Sequence, residues 1–154
     1  EPEDPDLFVD EFDPVLLRDE RDRRLVQVAT REGQDAFRNA LLDAYGERCA
    51  VTGCDASQAL EAAHIYPYRG PATNKVSNGL LLRSDLHRLF DRGAIAVDEA
   101  NYRILLRPDL MATQYAYLAE DRVSLRVPNR IDLRPSPAAL RNHREWAGVE
   151  RLAQ

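Results

Sequence analysis

Residues 31–46 carry the hydrophobic pattern of an amphipathic helix. Apolar side chains recur there at helical spacing, namely Ala36, Phe37, Ala40, Leu41 and Ala44. Gly46 follows the last of them and is a plausible stop signal. The pattern therefore predicts one helix in this part of the chain.

A strand, a long loop, a second strand and a short helix follow. "ALEAAHI" alternates with a period of two residues and predicts a strand that ends near His64. "PYRGPATNKVSNG" is interrupted by proline and glycine and predicts a loop, and "LLL" at 80–82 is a short buried element. "SDLHRLFDRG" predicts a short helix with Ser84 as its N-cap and Gly93 beyond its end.

The remaining segments predict smaller elements around this unit. "CAVTGC" has the pattern of a short strand and turn, and "AIAVD" and "YRILL" predict a hairpin around "EAN". Pro108 opens a predicted helix over 108–120, "RVSLRVP" predicts a late strand, and "SPAALRNHREW" begins a closing helix. The elements together predict an α+β fold with flanking helices and a C-terminal strand/helix extension.

Charge is distributed unevenly along the 154 residues. Residues 1–20 hold nine acids and one arginine, a balance of −8, so the net charge of −5 leaves +3 on the rest of the chain. Of the 21 basic residues, only Lys75 is a lysine. Arginine suits bidentate phosphate contacts, although a compositional bias explains the excess equally well. The apolar residues of this segment predict that it packs on the body or on a partner, and its negative charge predicts that it does not bind DNA.

Composition also narrows the class of protein. A length of 154 residues indicates one domain. No apolar run approaches the ~20 residues that span a bilayer, and no signal peptide is visible, so we expect no membrane partner. Two cysteines do not form the disulfide framework of small secreted proteins, which favours a cytoplasmic location.

Three polar residues occupy the junctions of the strand–loop–strand–helix unit. His64 ends the first strand, Asn78 precedes the second, and His87 lies in the first turns of the helix. A single histidine is more often a hydrogen-bonded core residue, but this set is ordered. We expect the two histidines to face each other across a small cleft.

The segments that contain these residues resemble a known family. "REGQDAFRNALLDAYGERCAVTGC", "LEAAHIYPYRGPATNKVSNGLLLRSDLHRLFDRG" and "YRILL" are similar to the HNH endonucleases of the ββα-metal (His-Me finger) superfamily, in particular to the bacterial group found in predicted restriction endonucleases. The resemblance covers roughly residues 31–107. Together with the charge distribution, it predicts an acidic N-terminal segment or linker at 1–20 and an HNH nuclease domain at 21–154 whose ββα-metal core spans about 45–95.

The resemblance also implies a function and residue roles. It implies a metal-dependent DNA endonuclease that hydrolyses phosphodiester bonds, the cleavage domain of a restriction or defence enzyme. His64 matches the general base of the family, Asn78 the asparagine that braces the loop, and His87 the metal-ligand histidine. Ala63 stands where many relatives have a metal-binding Asp or His.

A second metal ligand must therefore come from elsewhere or be water. Asp91 is the first candidate because it lies one helical turn after His87, although pairing with an arginine explains it equally well; Glu61 and Asp85 rank lower. Sparse protein ligation suits Mg²⁺ most, and a histidine also accepts Mn²⁺, Co²⁺ or Ni²⁺. Cys49 and Cys54 lack a second pair, so we expect no structural zinc.

Residues around the predicted base are candidates for DNA contact. Tyr68, Arg69 and Lys75 follow His64 in a strip that also contains Tyr66 and Asn74. Arg31 and Arg38 share a helical face with Gln34. Loop packing for the first group and ordinary surface exposure for the second are the alternatives. His143 has no obvious partner and is expected to be structural.

Two other functions remain open at this point. One is a catalytically silent DNA-binding or interaction module, and the other is a toxin-type nuclease domain with an immunity partner. The presence of both His64 and His87 favours an active nuclease. No DNA-recognition module is legible in the sequence, so a separate recognition domain or subunit is an expected partner besides DNA.

Overall fold

A computed structural model describes residues 33–151. The predictions for the acidic segment 1–20 and for Arg31 lie outside the described residues. No helix within 33–151 is both long and apolar enough to cross a bilayer.

The first predicted helix is confirmed. Helix α1 spans Gln34–Ala44 and buries Phe37 and Leu41. The chain leaves the helix through Gly46, whose φ of 64° lies in the left-handed region that favours glycine. The helix therefore ends before Gly46, as the sequence predicted.

The strand–loop–strand–helix unit is also confirmed. Strands β1 (Leu60–His64) and β2 (Gly79–Arg83) pair antiparallel, with His64 opposite Gly79. Helix α2 (Ser84–Asp91) follows β2 directly. Its N-cap is Arg83 rather than the predicted Ser84, because the Ser84 hydroxyl donates instead to the Ala59 carbonyl at 3.1 Å.

Helix α1 approaches the β1–β2 hairpin closely at Gly79. A Cβ atom there would lie 2.7 Å from Cζ of Phe37 and 2.8 Å from Cδ1 of Leu41. Glycine is therefore needed for the close approach rather than for an unusual backbone angle. The contact brings α1 beside the end of β1 that carries His64.

A hairpin and a closing helix complete the core. Strands β3 (Ile95–Val97) and β4 (Ile104–Leu106) pair antiparallel, as predicted, and α3 spans Pro137–Ala147. Nε2 of His143, on α3, lies 2.8 Å from the Phe90 carbonyl oxygen, and its ring stacks on Phe90. This contact joins α3 to α2 and confirms that His143 is structural.

Three segments differ from the sequence predictions. Residues 108–120 form two 3₁₀ helices, Pro108–Ala112 and Gln114–Ala119, because Thr113 is extended and its hydroxyl oxygen accepts from the Tyr115 amide. Residues 122–128 form only an isolated bridge between Ser124 and Arg103. "CAVTGC" forms a turn, closed by a hydrogen bond from the Cys49 amide to the Cys54 carbonyl.

Candidate active site

His64 is held on two sides at the end of β1. Its half-buried ring stacks on Phe37 with centroids 4.4 Å apart and an interplanar angle of 13°, and Tyr68 meets it edge-on at 5.7 Å. Nε2 of His64 lies 2.7 Å from Oδ1 of Asn74. Because an amide oxygen only accepts, this bond puts the proton on Nε2 and leaves the lone pair of the neutral ring on Nδ1.

Asn78 fastens the loop between the two strands. Its Oδ1 accepts from the Tyr66 amide at 2.9 Å, and its Nδ2 donates to the carbonyls of Tyr66 (3.1 Å) and Thr73 (3.0 Å). These three bonds hold the start and the middle of the loop to the residue before β2. Asn78 thus fixes the segment that carries Asn74, the partner of His64.

His87 lies between two carboxylates. Its Nε2 is 3.0 Å from Oδ2 of Asp91, and its Nδ1 is 3.5 Å from Oε2 of Glu61. The hydrogen bond to Asp91, and then that to Glu61, raises the pKa of His87 against the opposing effect of burial. His87 and Asp91 therefore lie together on one helix face, as their spacing in the sequence suggested. Glu61 approaches His87 from β1.

Asp85 is already engaged by other side chains. Arg83 binds it bidentately at 2.6 Å and 2.9 Å, and the Tyr115 hydroxyl donates to it at 2.8 Å. The Arg83 hydrogen bond lowers the pKa of Asp85 to about 2, against a smaller effect of desolvation. Because Arg83 and Tyr115 already bind its carboxylate, Asp85 is a weaker candidate for a metal ligand than Asp91.

A cleft of about 550 Å³ opens beside α2. Its lining comprises Glu61, Ser84, Asp85, His87, Arg88, Asp91 and Arg92. His64 is not part of this lining. Glu61 and His64 are three residues apart on β1, so their side chains project to opposite faces of the strand. The expectation that both histidines face one cleft therefore does not hold for this cleft: His64 packs toward α1.

The donors in the cleft suit a sparsely ligated metal ion. His87 offers a ring nitrogen and Asp91 a carboxylate oxygen 3.0 Å away from it. Over residues 33–151 no group of three or more His, Cys, Asp or Glu side chains is arranged to hold a metal. His87 and Asp91 are thus the described side chains that could hold a divalent ion, with water completing its coordination shell.

Of the predicted DNA-contact residues, Tyr68 is the one whose ring meets His64. Tyr68, Arg69 and Lys75 are exposed, and the Arg69 guanidinium lies 5.4 Å from the Tyr66 ring centroid. The Arg38 guanidinium donates to the carbonyls of Ser57 (3.0 Å) and, more weakly, Leu60 (3.4 Å), so part of its donor capacity supports the chain before β1.

The two cysteines lie in the turn before β1. Sγ of buried Cys49 accepts from the backbone amides of Thr52 and Arg83, both at 3.4 Å, and Cys54 is half-buried. The Cys49 contacts link the turn to the end of β2. Both thiols are free.

Sequence reasoning gave too little weight to three features of this region. Asn74 was grouped with possible phosphate contacts, yet it binds His64. Glu61 ranked low, yet it approaches His87. Arg88 and Arg92 were not considered, although each directly follows a candidate metal ligand and lines the cleft. The positions of Arg88 and Arg92 directly after His87 and Asp91 in the sequence would have indicated that they lie beside the candidate metal ligands.

The chain is similar to a known family and to a solved structure. Residues 49–98 match the model of a family described as HNH endonuclease. A solved structure described as a modification dependent TagI restriction endonuclease is similar at 21% identity and a TM-score of 0.48, over 70% of this chain and 35% of that chain. The present chain thus corresponds to about a third of that protein. No curated protein matches.

Proposed function

We propose that this chain, whose residues 49–98 match the model of the HNH endonuclease family, is a metal-dependent DNA endonuclease. We propose further that it is the cleavage domain of a restriction or defence enzyme, acting with a separate DNA-recognition domain or subunit. The observation that carries the proposal is the ββα unit, with His64 ending β1, Asn78 bracing the loop, and His87 beside Asp91 on α2.

His64 has the features of a general base. Phosphodiester hydrolysis requires a water to lose a proton as it attacks phosphorus, and imidazole can accept a proton near neutral pH. The Asn74 bond leaves Nδ1 as the accepting atom, and stacking on Phe37 restricts the ring. Asn78 supports this arrangement through the loop backbone.

His87 and Asp91 are the residues that would hold the metal. A divalent cation bound there would stabilise negative charge that develops on the phosphate and its leaving oxygen. Nδ1 of His87 faces Glu61, which would orient the ring and leave Nε2 as the donor atom, on the side of Asp91. A metal-binding imidazole must be neutral, and contact with Asp91 raises the pKa of His87, so metal binding there would compete with a proton.

Plasmid nicking tests the proposal. Supercoiled DNA is incubated with the full chain in Mg²⁺ or Mn²⁺, with and without excess EDTA, and His64→Ala is purified in parallel to control for contaminating nucleases. We expect metal-dependent nicking that EDTA abolishes and that His64→Ala lowers by about 10²–10⁴-fold. Cleavage that persists in EDTA would exclude the metal-dependent scheme, and absence of cleavage by the wild type would favour a silent binding module.

A further inference from the structure

Nearly every arginine of residues 33–151 is engaged by another group. Eight pair with carboxylates: Arg83, Arg103, Arg107, Arg122, Arg130, Arg141, Arg144 and Arg151. Four donate to backbone carbonyls: Arg38, Arg48, Arg126 and Arg134. Arg69 lies over a tyrosine ring. Within the described region, only the guanidinium groups of Arg88 and Arg92 have no such partner.

Both of these arginines lie at the candidate metal pair. Arg88 and Arg92 are exposed, line the cleft, and are four residues apart at the end of α2. Side chains at that spacing are neighbours on one helix face. His87 and Asp91 occupy the preceding positions, so α2 and its C-cap Arg92 carry both arginines and both candidate ligands.

The charges of the cleft favour an anionic ligand once a cation is bound. Arg83, from outside the lining, neutralises Asp85, which leaves Glu61 and Asp91 to balance Arg88 and Arg92. A divalent ion at His87 and Asp91 would make the lining positive overall. Each guanidinium presents five N–H donors in a fork that matches phosphate oxygens.

We propose that Arg88 and Arg92 bind backbone phosphates of the nucleic acid that enters this cleft. The proposal rests on the proposed function and names the contacts that hold the substrate strand there. Contacts to phosphate position a strand but carry no sequence information. The two arginines would therefore contribute to affinity equally on all sequences.

Fluorescence anisotropy over a salt series tests this assignment. Two labelled DNA duplexes of unrelated sequence are titrated in Mg²⁺ with the full chain in a His64→Ala background, so that the cation is present and cleavage is slow. For Arg88→Ala/Arg92→Ala we expect weaker binding to both duplexes, and a slope of log K against log salt that is smaller by about 1 for each arginine removed. Arg88→Lys/Arg92→Lys should restore the slope, since it keeps the charges.

The matched control removes two exposed arginines that already have partners. Arg122→Ala/Arg130→Ala changes the net charge equally, but these side chains pair with Glu120 and Asp132. We expect its slope to stay close to that of the wild type. An equal loss in this control would assign the effect to net charge and overturn the proposal, as would an unchanged slope in Arg88→Ala/Arg92→Ala.

Failure of this inference is distinguishable from failure of the proposed function. If the wild type nicks plasmid and the cleft variants keep its affinity and slope, only the arginine assignment is wrong. If the wild type neither binds nor nicks DNA, both are wrong. Thermal unfolding and Mn²⁺ binding of Arg88→Ala/Arg92→Ala should match or exceed those of the wild type, because both side chains are exposed; loss of either would overturn the assignment by indicating a structural role.

Discussion

Nε2 of His64 lies 2.7 Å from Oδ1 of Asn74, a residue outside the three that define the motif. The bond selects one ring tautomer and, with the stacking on Phe37, one ring orientation. Asn74 belongs to the loop that Asn78 braces. The candidate base is thus positioned through a chain of contacts from the start of β2 rather than by its own strand alone.

Replacing Asn74 should affect turnover and its pH dependence. Asn74→Ala should lower kcat roughly 10–100-fold with little change in KM, because the base loses its orientation. Asn74→Asp should move the acid limb of the pH–rate profile to higher pH, because a neighbouring carboxylate favours the protonated ring. Nicking rates measured from pH 5 to 9 test both, with Asn129→Ala, at an exposed asparagine, as the control. Profiles identical to the wild type would remove Asn74 from the site.

Gly79→Ala tests the approach of α1 to the hairpin. The new methyl group would meet Phe37 and Leu41 at less than 3 Å, so these side chains must move. We expect a loss of about 1–3 kcal/mol in the free energy of unfolding, measured by urea denaturation. Activity should also fall, because Phe37 stacks on His64. A variant with wild-type stability would show that the α1 contact adapts without cost.

Two isosteric variants distinguish the role of Asp91, a proposed metal ligand, from that of Glu61. Asp91→Asn removes a proposed ligand and should weaken Mn²⁺ binding more than tenfold. Glu61→Gln removes only a partner that orients His87 and should weaken Mn²⁺ binding less than Asp91→Asn does, by about tenfold. Calorimetric titration of Mn²⁺ compares the two variants. A larger loss in Glu61→Gln would identify Glu61 as the ligand and Asp91 as the orienting residue.

The ion pair between Glu99 and Arg144 predicts that the fold loses stability at low pH. Hydrogen bonds from Arg144 hold the pKa of Glu99 at about 2, below its ordinary value of 4.5. Because the folded-state pKa is depressed, the stabilisation is complete above pH 4.5 and is lost as pH falls toward 2. Glu99→Gln should therefore be less stable than the wild type by about 1–3 kcal/mol at pH 7.

Thermal unfolding at a series of pH values checks this prediction. The difference in Tm between Glu99→Gln and the wild type should shrink through pH 4.5 to 2. A difference that stays constant with pH would mean that the Glu99 charge contributes nothing to stability. Arg122→Ala, at an exposed pair, is the control and should change Tm little at any pH.

Local sequence signals were sufficient for the ββα unit. Period-two alternation up to His64, and Gly93 after the helix, gave the ends of β1 and α2 correctly. The single helix predicted over 108–120 was wrong because Thr113 caps the second of two short helices, which hydrophobic periodicity does not register.

Local sequence patterns could not predict contacts between residues that are distant along the chain. The engagement of Asp85 depends on Tyr115, thirty residues away, and the partner of His64 depends on how the loop folds back. The strand face on which His64 lies is a different case from these contacts between distant residues. The odd spacing of His64 from Glu61 on β1 implied opposite faces of the strand, but only the structure shows that Glu61 is the one that approaches His87.

The central claim is that the two histidines have separate roles, His64 as base and His87 as metal ligand. Calorimetric titration of Mn²⁺ into His64→Ala, beside the wild type and His87→Ala, tests it most directly. The account predicts a wild-type isotherm for His64→Ala and binding weakened at least tenfold for His87→Ala. Loss of the isotherm in His64→Ala would place His64 among the metal ligands and contradict the account.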